Sequence, residues 1–152
     1  MNSSSKAGIL IDTSYLLPIL GVEVVGVTKV LEILKRILLS GEVDIYYSPF
    51  SLFEALGEIS RLNYDPEIVE QGLIAILEEF KVSLPNTQAY MKALELKKKG
   101  FRDLIDLLLY TSALANKLRF LTRDRELIEF LEKHEEDTTN ILPEDVFVEE
   151  FK

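Results

Sequence analysis

The chain has 152 residues, a net charge of −9 and 47% hydrophobic residues: enough for a sizeable core, and too acidic to hold nucleic acid by overall charge. It has no cysteine and one histidine, His134, which excludes disulfides, thiolate nucleophiles and two-histidine zinc motifs; any metal site must be built from oxygen, which favours magnesium or manganese. No apolar run reaches the roughly 20 residues of a membrane span, and the start, MNSSSKAG, lacks the apolar stretch of a signal peptide, so a soluble, cytoplasmic protein is expected.

Residues 1–7 are expected to form a flexible N-terminus, followed by a single domain over 8–152. Gly8 to Ile11 reads as a buried strand, short and apolar, ending abruptly at Asp12. Thr13 or Ser14 is placed to cap a short helix over Tyr15 to Leu20. After a loop flanked by Gly21 and Gly26, Thr28 is expected to cap an amphipathic helix with Val30, Leu31, Leu34, Ile37 and Leu38 on one face. Gly41 stops it. Val43 to Tyr47 is a second strand, rich in β-branched and aromatic residues. Ser48-Pro49 opens a helix carrying Phe50, Phe53, Leu56, Gly57 and Ile59, and Asp65-Pro66 opens another through Ile76 and Leu77.

Lys81 to Leu84 reads as a third strand, and Pro85-Asn86 begins a helix that Gly100 ends. Asp103 or Leu104 starts a very apolar helix through Leu107, Leu108, Leu109, Ala113 and Leu114, whose composition implies burial on most sides. Arg119 to Thr122 is a fourth strand and Arg123-Asp124 leads into a helix to about Lys133. After a polar loop, Asn140 to Leu142 is a candidate edge strand and Pro143 starts a terminal helix. Strands alternating with helices imply an α/β fold: a central, mostly parallel sheet of four to five strands, covered on both faces. Ligands of such sheets sit beyond the carboxyl ends of the strands.

Four acids gather at such positions: Asp12, Glu54, Asp106 and Asp124. Buried carboxylates are costly unless something cationic meets them, so four from distant parts of the chain suggest a shared pocket for a divalent ion. Each has a plainer reading. Asp12 suits a helix N-cap, but Thr13 and Ser14 would serve as well. Glu54 would be a solvated residue, though Glu58 four positions on makes a mildly unfavourable like-charged pair. Asp103 and Asp106 both suit the first turn of their helix, and Asp124 suits an exposed helix start. The convergence of the four raises the functional reading above these.

The segments ILIDTSYLL, the Glu54 helix, Asp106 to Ala113 and LTRD (Leu121 to Asp124), with the ending TTNILPEDVFVEEF, resemble the PIN-domain family in order and spacing over nearly the whole chain. The resemblance implies a three-layer α/β/α PIN-like fold and a metal-dependent endoribonuclease, with Asp12, Glu54, Asp106 and Asp124 as catalytic, metal-holding residues for Mg2+ or Mn2+. Asp103, Ser14 and Thr122 are additional candidates.

Arg102, Arg123 and Arg125 are candidates for RNA contact. Lys97, Lys98 and Lys99 read better as a solvated helix end. The resemblance implies toxins of the virulence-associated-protein C type, neutralised by a small antitoxin protein, or RNA-processing nucleases; the alternative is an inactive PIN-like scaffold that binds protein. The apolar segments Val24 to Leu39 and Ile68 to Phe80 suggest a homodimer face. An aspartyl phosphotransferase would want a second Asp where Ser14 stands, and a nucleotide-binding domain would want a glycine-rich phosphate loop that is missing after the first strand.

Overall fold

The computed structural model describes residues 7–152; the expected flexible N-terminus lies, over residues 1–6, outside the described residues. The elements run β1 (Gly8–Ile11), α1 (Thr13–Leu16), α2 (Thr28–Ser40), β2 (Asp44–Tyr47), α3 (Pro49–Ile59), α4 (Pro66–Glu79), β3 (Lys81–Val82), α5 (Thr87–Lys98), α6 (Leu104–Ala115), β4 (Arg119–Thr122), α7 (Arg125–Lys133), β5 (Ile141–Pro143) and α8 (Glu144–Phe151).

The sheet order is β3-β2-β1-β4-β5, and every neighbouring pair is parallel, so the sheet is wholly rather than mostly parallel. The chain moves outward from β1 through β2 to β3, then crosses back to β4 on the other side. The strand order therefore reverses beside β1, which opens a crevice at the carboxyl ends of β1 and β4.

Alternation along β1 divides the core. Ile9 and Ile11 face a cluster built from α1, α2 and parts of α3, α4 and α8, with Leu16, Ile33, Ile37, Ile76 and Phe147 buried in it. Leu10 faces the other cluster, where α5, α6 and α7 contribute Leu96, Leu107, Tyr110 and Leu127. Helices thus cover both faces, giving three layers. In α6 seven consecutive residues, Leu107 to Ala113, are buried, as its unbroken apolar composition implies.

Several boundaries differ from the sequence expectation. The first helix begins at Thr13, with Asp12 as its cap, instead of starting after Thr13 or Ser14. Thr28 is the first residue of α2; Val27 stands at the cap and supplies no side-chain bond. The apolar run of α3 does not turn inward as a whole. It buries Ser51, Ala55 and Ile59, while Phe53 and Leu56 face outward, because the small residues seat the helix close against α1 and α6.

Layer contact on α4 depends on Gly72. A Cβ there would overlap the carbonyl oxygen of Ile19 and crowd Leu20, both backbone atoms that cannot swing away. Gly72→Ala is therefore expected to lower stability by about 1–3 kcal/mol, the usual cost of overpacking, although alanine is the better helix former. A urea melt showing equal or greater stability would contradict this packing.

Candidate functional site

Asp12 leaves the tip of β1 and is only 7% exposed. Its carboxylate accepts from the Ser14 backbone N–H (2.9 Å) and from the Thr122 hydroxyl at the tip of β4 (2.8 Å). The same Thr122 oxygen accepts from the Asp124 backbone N–H (3.0 Å). Thr122 thus ties the ends of the two adjacent strands together and fixes both acids. Asp124 caps α7 by accepting from the Leu127 N–H (3.2 Å). Glu54, on the second turn of α3, is held from across the cleft by the Thr13 hydroxyl at 2.6 Å. Asp106, in the first turn of α6, lines the same cleft and feels the charges of Asp103 and Asp124.

All four acids line one cleft of about 680 Å3, together with Ser14, Phe53, Gly57, Glu58 and Arg61. Burial pushes the Asp12 carboxyl up to about 6, against the bonds from Thr122, Ser14 and the Arg123 backbone, and the charge of Asp124 adds to the rise. Burial also raises Asp106, reinforced by the charges of Asp103 and Asp124. Glu54 is raised by burial first, then by Asp103 and Glu58, against the Thr13 bond. Among the described residues none of the four is in a salt bridge. Burial and mutual repulsion thus disfavour the ionised forms of Asp12, Glu54 and Asp106, which a cation in the cleft would favour.

The other candidates divide. Ser14 lines the cleft. Asp103 is occupied as the α6 cap, accepting from the Ile105 and Asp106 N–H groups, and acts on the cleft through its charge. Arg102 and Arg123 reach the cleft but are engaged: Arg102 pairs with Glu126 (2.8 Å), while Arg123 donates to the Val25 carbonyl (2.8 Å) and pairs with Glu144 (3.5 Å). Arg125 departs from expectation. Helix α7 turns it into a neighbouring hollow beside Pro143, where it pairs with Asp145 (3.4 Å). Lys97 donates to the Arg102 carbonyl, and Lys99 pairs with Glu95 and Glu136, so this end of α5 is tied to its own surroundings.

Two contributors were missed in the sequence. Thr13 reads there as a cap and proves to hold Glu54. Arg61 stands at i+7 from Glu54 and i+3 from Glu58, so helical spacing alone would have placed it on the same face.

Carboxylate oxygen is the donor set of a hard divalent ion, and such ions keep much of their water while using only one or two carboxylates. Among the described residues no three of the groups already close into a cage, and the open cleft suits that looser mode of binding. The residues fit the group.

The family model for the PIN domain matches residues 9–133. No curated protein matches the sequence. Among solved structures, the chain is similar to VapBC2 from Rickettsia felis bound to a promoter DNA fragment, with 21% identity over 80% of this chain and 92% of that one and a TM-score of 0.58. PAE2754 from Pyrobaculum aerophilum has 15% identity over 95% of both chains and a TM-score of 0.64. VapC20 from Mycobacterium tuberculosis, described as a sarcin-ricin loop cleaving toxin, has 16% identity over 73% of this chain and 85% of that one, with a TM-score of 0.53. At these identities the likeness establishes the fold.

Asp12 makes a stability prediction. Its carboxyl titrates near 3.8 when unfolded and near 6 when folded, so the fold disfavours the ionised form. That cost is absent below 3.8, grows as pH rises through the window to 6, and stays constant above at about 3 kcal/mol. Metal-free Asp12→Asn is therefore expected to be more stable than wild type near neutral pH, with the advantage vanishing toward pH 4. Urea melts in chelator across this range test it; an Asn variant that is weaker at neutral pH would contradict the burial argument.

Proposed function

The chain belongs to the PIN-domain family, and from that premise we propose that its acidic cleft is the centre of a metal-dependent endoribonuclease. One observation carries the reading. Four acids from four separate elements meet in one cleft, the most buried with its carboxyl raised to about 6, and among the described residues none of them is in a salt bridge. Asp12, Glu54 and Asp106 are the residues to hold Mg2+ or Mn2+ directly, with Asp124 acting through water or toward a second ion. Such an ion, when bound, supplies Lewis-acid chemistry at the RNA phosphodiester.

The protein's own part is positioning. Thr122 orients Asp12 against the backbone of Asp124, and Thr13 orients Glu54, so two acids on different layers are set before any ligand arrives. Ser14 is exposed enough to meet water or phosphate; Thr122 is buried, so its role stays with the carboxylates.

A toxin of the virulence-associated-protein C type is the role that best suits the chain, with a small antitoxin as partner; the similar VapBC2 structure is a toxin–antitoxin complex in which DNA is also bound. No described helix is long and apolar enough to cross a membrane, and an RNA substrate suits a cytoplasmic location. For a homodimer, the expected face from Val24 to Leu39 is largely spent, since Val30, Ile33, Leu34 and Ile37 are core. Ile68, Ile74 and Leu77 of α4 remain exposed and are the better surface. Light scattering is expected to give twice the chain mass; a monomer mass would remove this part.

The direct test is calorimetric titration with Mn2+ of wild type, Asp12→Asn and Asp106→Asn, followed by RNA cleavage with the same samples. Saturable binding and metal-dependent cleavage by wild type, both falling at least a hundredfold in the variants, are expected. A wild type that binds no Mn2+ would hand the fold to the protein-binding scaffold reading. Thr122→Val is expected to weaken Mn2+ binding through Asp12 while leaving the fold intact, since valine keeps the shape and loses the hydroxyl.

A further inference from the structure

Helix α3 presents two parallel rows to the cleft. Glu54 and Glu58 form one, beside the other acids. Phe53 and Gly57 form the second, at i and i+4, and Arg61, in the turn just past the helix end at Ile59, completes it; its N–H donates to the Glu58 carbonyl.

Each member of this second row is unexplained by the fold. Phe53 is 76% exposed, and among the described residues its ring meets no other. A single exposed aromatic is ordinary. Gly57 is not ordinary, because mid-helix glycine destabilises and here nothing lies within 4 Å of where a Cβ would stand. No close approach within the chain requires it. Arg61 lines the cleft without an ion pair among the described residues, whereas Arg102 and Arg123 are both engaged. An aromatic face, a bare stretch of helix and an unpaired guanidinium in line match a base, a sugar and a phosphate.

We propose that Phe53, Gly57 and Arg61 form a subsite for single-stranded RNA beside the acids: Phe53 stacks a base, Gly57 leaves room for the sugar, and Arg61 holds a phosphate. The subsite rests on the nuclease reading for its substrate, and it explains how a chain of net charge −9 gains a grip on RNA away from the metal. Duplex RNA offers no free base face and should not use it.

The protein has no tryptophan, so Phe53→Trp creates a sole fluorophore at the stacking position. With calcium in place of manganese, and the RNA checked for integrity, a short single-stranded RNA is expected to quench it saturably, while duplex RNA and an abasic oligonucleotide are not. In cleavage assays Phe53→Ala and Arg61→Ala are each expected to raise KM about tenfold with kcat nearly unchanged, and Phe53→Tyr to restore it. Arg61→Ala should also make binding less salt-dependent, lowering the slope by about one. Gly57→Leu should raise KM without lowering the melting temperature, which separates blocking from misfolding.

Normal KM values in an active nuclease, or a tryptophan that answers to a protein partner and not to RNA, would overturn the subsite and leave the nuclease standing. Quenching by single-stranded RNA in a protein that cleaves nothing would establish the subsite and overturn the nuclease instead.

Discussion

The carboxyl ends of β1 and β4 lie side by side because the chain reverses its strand order there, and the site depends on that adjacency. Parallel strands deliver both chain ends to one edge of the sheet, so Asp12 and Thr122 meet although 110 residues separate them. The helices that follow begin at the same edge, and helix starts offer unpaired N–H groups that welcome carboxylates. Asp12, Asp103 and Asp124 are all caps. Capping and ligand-holding are therefore not rival accounts of these residues. The caps fix the acids in place, and both Asp12 and Asp124 still line the cleft.

This arrangement lets carboxylates cluster without a basic partner. Backbone N–H groups and two threonine hydroxyls offset part of the repulsion. The result is a pocket that is chemically unfinished in a specific way: it wants a compact positive charge, which a flexible lysine or arginine would supply poorly and a hydrated divalent ion supplies well. Arg102 and Arg123 are paired on the flanks, so they shape the rim without neutralising the centre.

Much of this was legible in the sequence. The strand GILI ending at Asp12, the seven buried residues of α6 and the helix starts at Ser48-Pro49 and Asp65-Pro66 all follow local patterns strong enough to survive tertiary context. The four acids could be gathered because their place relative to strand ends follows from parallel topology. What failed to show was direction. Phe53 and Leu56 could be placed on α3 but not given a side; the seat of Ala55 and Ser51 in the core turns them out. Arg125 sits next to a site residue in sequence and points away from it, because α7 has already begun and adjacent positions lie about 100° apart. Thr13 was invisible as a partner of Glu54, since that contact spans 41 residues and no local rule connects them.

Two residues unfavourable to folding face the same cleft. Ionised Asp12 costs the fold about 3 kcal/mol and Gly57 up to about 1 kcal/mol, in a class of molecule whose total stability is commonly 5–15 kcal/mol. Gly72 is a useful contrast: it is a helix glycine too, but the Ile19 carbonyl explains it. Where packing accounts for a locally poor residue, nothing further needs to be sought. Where it does not, the missing favourable contact has to come from outside the chain. Asp12 and Gly57 face the same cleft, one lacking a cation and the other a neighbour, so a ligand that brings a metal-bridged phosphate and a nucleoside together would supply both at once.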